Sequence, residues 1–129
     1  MPATAMNHFT VLTDDVERTV AFYEELLALR AGARPPFNFP GAWLYAGDAP
    51  ILHVIGGRPK SELRAGVIDH MAFTGRDLPG TLGALKRNGI EYICRRQAGS
   101  GTWQVFFDDP NGAKVEMDFD PGESETASA

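Results

Sequence analysis

The sequence predicts an α+β fold built from two successive βαβββ modules, and three observations lead to this prediction. The chain repeats itself: residues 7–12, Asn-His-Phe-Thr-Val-Leu, recur as residues 69–74, Asp-His-Met-Ala-Phe-Thr. In each copy a segment with strand alternation precedes a segment with helical spacing of apolar residues. Turn-forming residues then separate further alternating segments. We therefore expect one domain at residues 6–119, with modules at about 6–57 and 67–119.

Local patterns place the elements of the first module. In residues 8–12, His8, Thr10 and Leu12 alternate with Phe9 and Val11, as expected for a strand whose two faces have different surroundings. A helix should follow, with Asp14 as N-cap and Glu17 completing a capping box. Its predicted apolar face consists of Val16, Val20, Tyr23 and Leu27. A hairpin around Gly47-Asp48 should join strands at 42–45 and 51–55.

The second module has the same order of elements. Asp77 and Pro79 should open its helix, and Gly89 should end it. The predicted apolar face consists of Leu78, Leu82 and Leu85. Three strands are expected at 92–96, 102–107 and 113–119, the last two joined by the Asp-Pro-Asn-Gly turn at 109–112.

Two segments depart from the repeat. The counterpart of strand 92–96 falls near residues 34–39, where prolines interrupt any strand, so a lid or rim loop is expected there. Residues 120–129 are mostly small, polar or acidic, and we expect them to form a flexible tail.

Composition excludes several classes of partner. The 129 residues are 43% hydrophobic, which is enough for one core, and the formal net charge is −5 without a basic run. Binding to nucleic acid is therefore not expected. No apolar stretch reaches membrane-spanning length, and no signal peptide is recognised. The single cysteine, Cys94, is compatible with a reducing compartment, so a cytoplasmic location is expected.

Strand alternation places three metal-binding side chains on comparable faces. If Phe9 and Val11 face a helix, His8 points to the opposite face of the sheet, and His70 occupies the equivalent position. On the last strand, Glu116 alternates with an apolar set formed by Val115, Met117 and Phe119. Two imidazoles and one carboxylate form a common ligand set for divalent transition metals and leave coordination positions open for a substrate.

The doubled βαβββ unit with histidine on the first strand of each copy resembles the vicinal oxygen chelate superfamily. The resemblance covers residues 6–119, and its most specific motif is the turn 109–112 leading to Glu116. It implies a cup-shaped mixed sheet and a divalent metal, namely Ni, Fe, Zn, Mn or Co. The positions that match the family's ligands are His8, His70, Glu116 and His53. The resemblance also implies a homodimer with a small-molecule substrate.

The resemblance leaves three chemistries open. A glyoxalase-like lyase or isomerase would act on a substrate that chelates the metal through vicinal oxygens, with Glu116 or His53 moving the proton. An Fe(II) extradiol dioxygenase would need a catalytic histidine and tyrosine, but Phe106 and residues 98–100 stand at those positions. A fosfomycin or bleomycin resistance protein is the third possibility. The motif His8-Phe9-Thr10 matches the fosfomycin enzymes, whereas bleomycin binders generally lack the metal ligands.

Several further residues are candidates for binding the substrate. The expected pocket is lined by Thr10 and by the aromatic residues Phe37, Phe39, Trp43, Tyr45 and Trp103, and residues 35–41 could close over it. The sequence pairs Trp43 with Trp103 as repeats of one position. Five arginines could hold a carboxylate, although a solvated surface role is the default for each: Arg30, Arg34, Arg58, Arg95 and Arg96.

Overall fold

The two predicted modules form two four-stranded mixed sheets, each covered by one helix. The computed structural model describes residues 5–64, 66 and 68–126. The first module contains β1 (Phe9–Leu12), α1 (Val16–Leu27), β2 (Arg30–Gly32), β3 (Gly41–Ala46) and β4 (Ala49–Ile55). A short 3-10 helix at Lys60–Glu62 leads to the second module. That module contains β5 (Met71–Thr74), α2 (Leu78–Arg87), β6 (Ile93–Arg96), β7 (Trp103–Asp108) and β8 (Lys114–Phe119).

The strand order is the same in both sheets, which confirms the repeat. It runs β1-β4-β3-β2 in the first sheet and β5-β8-β7-β6 in the second. In each sheet the first strand lies parallel to the last strand of its module, and the other neighbours are antiparallel. The α+β fold of two βαβββ modules is confirmed. The described strands form two separate sheets, and none of them pairs with a strand of the other module.

Alternation along the strands produces one buried face on each sheet. Leu52 and Val54 of β4 are buried, as are Val115, Met117 and Phe119 of β8, and all five belong to one core cluster with side chains of both helices. The helices contribute fully buried side chains, including Tyr23, Leu78 and Leu85. Burial of these faces removes apolar surface from water and leaves the opposite faces of the sheets free for polar side chains.

The first module differs from the prediction at two points. The N-cap of α1 is Asp15, whose Oδ1 accepts a hydrogen bond from Arg18 N at 3.0 Å, while Asp14 forms an ion pair with the Arg18 guanidinium at 3.7 Å. The fourth strand, β2, lies at Arg30–Gly32, before the prolines, so the segment predicted as its counterpart forms only the rim loop. In α2 the predicted cap is confirmed, because Asp77 Oδ1 accepts from Gly80 N.

The turn at 109–112 joins the two modules. Tyr23 of α1 donates from its hydroxyl to Asp109 Oδ2 at 2.8 Å. Asn111 accepts a hydrogen bond from Thr13 Oγ1 at 2.6 Å and donates one to Thr19 Oγ1 at 3.0 Å. These buried polar groups satisfy one another across a separation of nearly the whole chain. The motif that leads to Glu116 therefore also fixes the first module against the second.

The predicted flexible tail begins with ordered contacts. Glu123 accepts hydrogen bonds from Leu78 N at 2.6 Å and from Asp77 N at 3.2 Å, at the N-terminus of α2. Its carbonyl accepts from Trp103 Nε1 at 2.8 Å. A carboxylate is stabilised at a helix N-terminus by the free amide groups there. The flexibility of the segment 120–129 stays a prediction. Residue 67, the predicted start of the second module, and residues 127–129 lie outside the described residues.

In the part of the chain that the structure covers, neither helix has the length and apolar character needed to cross a membrane.

Candidate metal centre

The first sheet brings His8 and His53 together on its uncovered face. Because Leu52 and Val54 point into the core, His53 points the other way, opposite Thr10 of β1 and Trp43 of β3. The ring of His53 stacks on His8, with centroids 3.8 Å apart, and on Trp43, with centroids 4.1 Å apart. The two rings restrict the orientation of the His53 imidazole before any ligand binds.

The hydrogen bonds and surroundings of His53 favour its neutral form. Its Nε2 lies 3.2 Å from the carbonyl oxygen of Pro50. A carbonyl can only accept, so Nε2 carries the proton and Nδ1 keeps its lone pair. Burial, followed by the nearby charge of His8, lowers the pKa of His53, and the bond to Pro50 only partly opposes this. A neutral imidazole is the form that binds metals.

The second sheet brings His70 and Glu116 together. The distance from His70 Nε2 to Glu116 Oε1 is 2.9 Å, and Glu116 is only 6% exposed. On the other side of the ring, Nδ1 lies 2.8 Å from Asp69 Oδ2. The Asp69 carboxylate is held by that bond and by Lys114, and these contacts lower the pKa of Asp69. A carboxylate on the far nitrogen of a histidine orients the ring of many metal ligands.

Both predicted histidine ligands are oriented by the residue that precedes them. His8 Nδ1 lies 2.7 Å from Asn7 Oδ1, as His70 Nδ1 lies 2.8 Å from Asp69 Oδ2. In both rings Nδ1 faces an oxygen atom, so Nε2 is the nitrogen that points away from this contact, and in His70 it faces Glu116 Oε1. The repeated pairs Asn7-His8 and Asp69-His70 in the sequence were the signal for these orienting residues, which sequence reasoning missed.

A second carboxylate lies beside Glu116. Asp118 points to the same face of β8, and burial together with the neighbouring Glu116 raises the pKa of Asp118 to about 6. Asp118 Oδ1 is buried and has no hydrogen-bond partner among the described residues. An unsatisfied carboxylate oxygen next to a buried glutamate is a setting that a bound cation would stabilise. The donor types and this orphaned oxygen fit a divalent metal.

Gln104 is a further residue on this face that sequence reasoning missed. It pairs with Asp118 in the register of β7 and β8, and its Nε2 donates to Glu116 Oε2 at 3.3 Å. Asp118 could have been recognised because it lies two residues after Glu116. The position of Gln104 near Glu116 depends on how β7 pairs with β8, and the residue pattern of one strand does not predict that pairing.

The four predicted ligands fall into two pairs. His8 lies with His53 on the first sheet, and His70 lies with Glu116 on the second. Among residues 5–64, 66 and 68–126, no group of three or more histidine, cysteine, aspartate or glutamate side chains is close enough to hold one metal ion. The structure thus brings together the members of each pair. For all four residues to bind one ion, a first sheet and a second sheet must face each other.

The predicted pocket residues lie largely on the first sheet. Phe37 and Phe39 of the rim loop are 43% and 38% exposed and stack on each other at 5.0 Å. Phe37 lies 6.4 Å from Trp43, which in turn covers His53. Tyr45 shares the face of Trp43, and its hydroxyl donates to the Ala33 carbonyl. Together with Thr10, these residues form an aromatic surface beside the two histidines.

Trp103 lies elsewhere, and the predicted repeat of Trp43 as Trp103 is wrong. Trp103 pairs with Phe119 on the buried side of β7, where it belongs to the core. Trp43 pairs with His53, and Phe106 pairs with Glu116, so Phe106 is the true counterpart of Trp43. Because a shift of an odd number of residues moves a side chain to the other face of a strand, the misaligned pair placed Trp103 on the wrong side.

Comparisons with known proteins agree with the geometry. The family described as the Glyoxalase/Bleomycin resistance protein/Dioxygenase superfamily matches residues 5–117. "Glyoxylase I 4" from Arabidopsis thaliana is 28% identical over 121 residues, which cover 88% of this chain and 70% of that protein. The crystal structure of lactoylglutathione lyase from Agrobacterium tumefaciens is similar, with a TM-score of 0.66, 19% identity, and coverage of 92% of this chain and 96% of that chain.

A second solved structure contains a metal. A mutant of the fosfomycin resistance protein FosX from Listeria monocytogenes, complexed with Mn(II) and 1S,2S-dihydroxypropylphosphonic acid, has a TM-score of 0.74 and 15% identity. The similarity covers 92% of this chain and 93% of that chain. At these identities the two solved structures support the fold alone, whereas the family match extends over nearly the whole sequence. The chain belongs to the glyoxalase/bleomycin resistance protein/dioxygenase superfamily, the vicinal oxygen chelate superfamily that its repeated strand motifs resemble.

Proposed function

We propose that this protein is a metal-dependent, glyoxalase-like lyase or isomerase acting on a small oxygenated substrate that chelates the metal through vicinal oxygens. The observation that carries the proposal is the pair His70 and Glu116. Their Nε2 and Oε1 atoms face each other at 2.9 Å, and Asp69 holds the other side of the imidazole. The similarity to "Glyoxylase I 4" supports this reaction class over the others found in the superfamily.

The proposed metal ligands are His8, His70 and Glu116, with His53 as a fourth. Three neutral imidazoles and one carboxylate leave a divalent ion with one net positive charge, which suits an anionic chelating substrate. Any one of Ni, Fe, Zn, Mn or Co is compatible with this set of nitrogen and oxygen donors. When bound, such a metal supplies Lewis-acid chemistry, polarising a carbonyl oxygen and acidifying the adjacent C–H bond.

The chain's own residues then have distinct tasks. Glu116 or His53 takes the proton from the substrate carbon and returns it at the neighbouring position. His53 has this role only where its Nδ1 does not bind the metal, because Nε2 already carries a proton toward the Pro50 carbonyl and Nδ1 holds the one lone pair of the neutral imidazole. The aromatic surface around Trp43 binds the apolar part of the substrate and excludes water, and the rim loop with Phe37 and Phe39 lies at its edge.

We propose that the complete site forms between two copies of the chain. The two donor pairs lie on separate sheets, and the described residues contain no group of three donors within one chain. Strands β1 and β5 each have one neighbour within the chain and carry a histidine just before their first residue. In a homodimer, the first sheet of one subunit can face the second sheet of the other and unite all four ligands. We place this dimer in the cytoplasm, since half-buried Cys94, the single cysteine, cannot form an internal disulfide.

Phe106 favours the lyase over the dioxygenase alternative. It occupies the position beside Glu116 in the sheet register, and its ring lies 6.1 Å from the ring of His70. A phenylalanine has no hydroxyl to donate or accept a proton, so ring cleavage would have to rely on His53 as its acid or base.

Metal analysis and proton exchange test the proposed function. Protein purified without added metal should contain about one transition-metal ion per chain, because three or four donors bind such ions tightly. His70→Ala and Glu116→Gln should lose the metal, whereas the matched control Glu62→Gln, in an exposed 3-10 helix, should retain it. Small α-hydroxyketones and 2-oxoaldehydes, offered with and without a thiol, should exchange the C–H proton in D2O, as followed by NMR.

The outcomes separate the three chemistries. His53→Ala should abolish exchange if His53 moves the proton, and full turnover would assign that task to Glu116. Oxygen consumption with catechols after anaerobic Fe(II) loading would overturn the lyase in favour of the dioxygenase. A folded protein that binds ligands but no metal would overturn both enzymes in favour of a binding or resistance protein.

A further inference from the structure

Arg95 lies on the same open face of the second sheet as Glu116. In the register of β6 and β7, Arg95 is opposite Gln104, and Gln104 is opposite Asp118 on β8. The alternate residues of β6 and β7 point to the opposite face, toward the core, as the pair Cys94 and Val105 shows. The Arg95 side chain therefore starts from the same row of the sheet as Gln104 and Asp118, one row away from Glu116.

The Arg95 guanidinium is held in place by two contacts. Its Cζ lies 4.9 Å from the centroid of the Phe106 ring, and its Nε donates to Gln104 Oε1 at 3.4 Å. The aromatic face attracts the cation and fixes the plane of the group. Within the described residues, the two terminal nitrogens have no hydrogen-bond partner and no carboxylate within ion-pair distance. These terminal nitrogens remain available to an external acceptor.

Three other arginines, Arg18, Arg34 and Arg96, are engaged by the chain itself. Arg18 pairs with Asp14. Arg34 donates to the Phe39 carbonyl at 3.3 Å, and Arg96 donates to the carbonyls of Gly101 and Pro121 while it stacks on Trp103. In a chain with a formal net charge of −5, acidic partners are plentiful, yet Arg95 contacts none in the part of the structure that is described. This distinguishes Arg95 from an arginine that serves an internal ion pair.

Gln104 connects Arg95 to the proposed metal ligand. Arginine can only donate and an ionised carboxylate can only accept, so the amide must accept with Oε1 and donate with Nε2. The distances agree: 3.4 Å from Arg95 Nε to Oε1, and 3.3 Å from Nε2 to Glu116 Oε2. An anion bound at Arg95 would thus lie one side chain away from the carboxylate that binds the metal.

We propose that Arg95 binds a carboxylate group of the substrate, at the end remote from the oxygens that chelate the metal. The planar fork of terminal N–H groups matches a carboxylate, which can accept two parallel hydrogen bonds. Gln104 acts as a positioning residue that keeps Arg95 and Glu116 in a fixed relation. The inference rests on the proposed function and narrows the substrate class to vicinally oxygenated monocarboxylates.

Two matched metal-chelating probes test the inference. Hydroxamates bind metals through two adjacent oxygens. Succinic acid monohydroxamate presents this chelate with a remote carboxylate, and butyrohydroxamate presents the same chelate without one. Binding is measured by isothermal titration calorimetry to the protein loaded with Mn(II), Ni(II) or Zn(II), whichever gives the highest occupancy. The wild-type protein should bind the carboxylate probe about fivefold to tenfold more tightly, because a bidentate, charge-assisted pair is stronger than an ordinary surface ion pair.

The variants decide the role of Arg95. Arg95→Gln should abolish the preference while leaving the metal content and the affinity for butyrohydroxamate unchanged, since Arg95 is exposed and touches no proposed ligand directly. The control Arg87→Gln, at the end of α2, should keep the full preference. An equal preference in wild-type protein and Arg95→Gln, or no preference in wild-type protein with metal bound, would overturn this inference alone. Failure to bind metal or either probe would overturn the proposed function, and the inference with it.

Discussion

Removing the Tyr23 hydroxyl should destabilise the fold, because it removes a buried hydrogen bond to a carboxylate between the two modules. Tyr23 is fully buried, and its hydroxyl donates to Asp109 Oδ2 at 2.8 Å. Asp109 is 5% exposed; its Oδ1 accepts from Asn111 N and Ala113 N, both at 2.8 Å. Among the residues that the structure describes, the other hydrogen-bonding group near Oδ2 is Asn111 Nδ2, at 3.5 Å. Tyr23→Phe therefore leaves a buried carboxylate oxygen with one long contact.

The expected loss follows from this geometry. Phenylalanine keeps the ring volume, so the change removes one hydrogen bond and creates almost no cavity. Leaving a buried, charged acceptor without its donor costs about 1.5 to 3 kcal/mol in the free energy of unfolding. Burial and the Asp109 carboxylate both raise the pKa of Tyr23, so the hydroxyl stays protonated and donating through the neutral range.

Urea denaturation at one fixed protein concentration measures the effect. The midpoint should fall without a change in the m-value, since the surface exposed on unfolding is the same. Fixed concentration matters because the dimer that we propose would contribute to the apparent stability. Tyr45→Phe is the matched control: the Tyr45 hydroxyl donates to the Ala33 carbonyl at an exposed position, where water can replace it, so a change within about 0.5 kcal/mol is expected. Equal effects in the two variants would refute the reasoning.

Three further predictions follow from the site and its surroundings. Mixing the His8→Ala and Glu116→Gln proteins and re-equilibrating the subunits should restore metal to about a quarter of the sites, because half the dimers are mixed and one of their two shared sites is intact; a site within one chain would recover nothing. In metal-free protein, Asp118→Asn should raise the free energy of unfolding at pH 8 by up to about 1 kcal/mol after solvent screening and leave it unchanged at pH 4. The sign follows because a folded pKa of about 6, above the unfolded value, means that the ionised carboxyl costs stability as the pH rises through 6; a larger gain at pH 4 than at pH 8 would contradict it. Glu123→Gln should lower the melting temperature, with a loss of about 0.5 to 1 kcal/mol, because the carboxylate accepts from Leu78 N at the start of α2; an unchanged calorimetric melting curve would exclude the capping role.

The sequence by itself determined the features that depend on local periodicity. Alternation in residues 8–12 and 114–119 was sufficient to put His8 and Glu116 on faces opposite the helices, because a strand has only two faces. The pair Asn7-His8, repeated as Asp69-His70, and the turn at 109–112 were sufficient to divide the chain into two βαβββ modules. The cap Asp77 followed from its position before Pro79, since capping uses residues within one turn of a helix.

Local patterns were less decisive where two neighbouring residues could serve equally. Asp14 and Asp15 are both good N-caps, and only the backbone conformation at Asp15, which is extended, selects it. Strand β2 has three residues, all of them exposed, so it carries no alternation by which a sequence could reveal it. The prediction put Trp103 on the wrong face of β7, because one pair of similar aromatic residues does not align the two repeats to within a single residue.

Only the tertiary structure decided which side chains meet across the chain. The contact of Tyr23 with Asp109, the connection from Arg95 through Gln104 to Glu116, and the docking of Glu123 on α2 all join segments that no periodic pattern relates. The same holds for the separation of the four proposed metal ligands into two pairs on two sheets. Periodicity specifies the face on which a side chain lies, whereas the partner it finds there depends on how whole sheets and helices pack, and that is set by the burial of their apolar surfaces together.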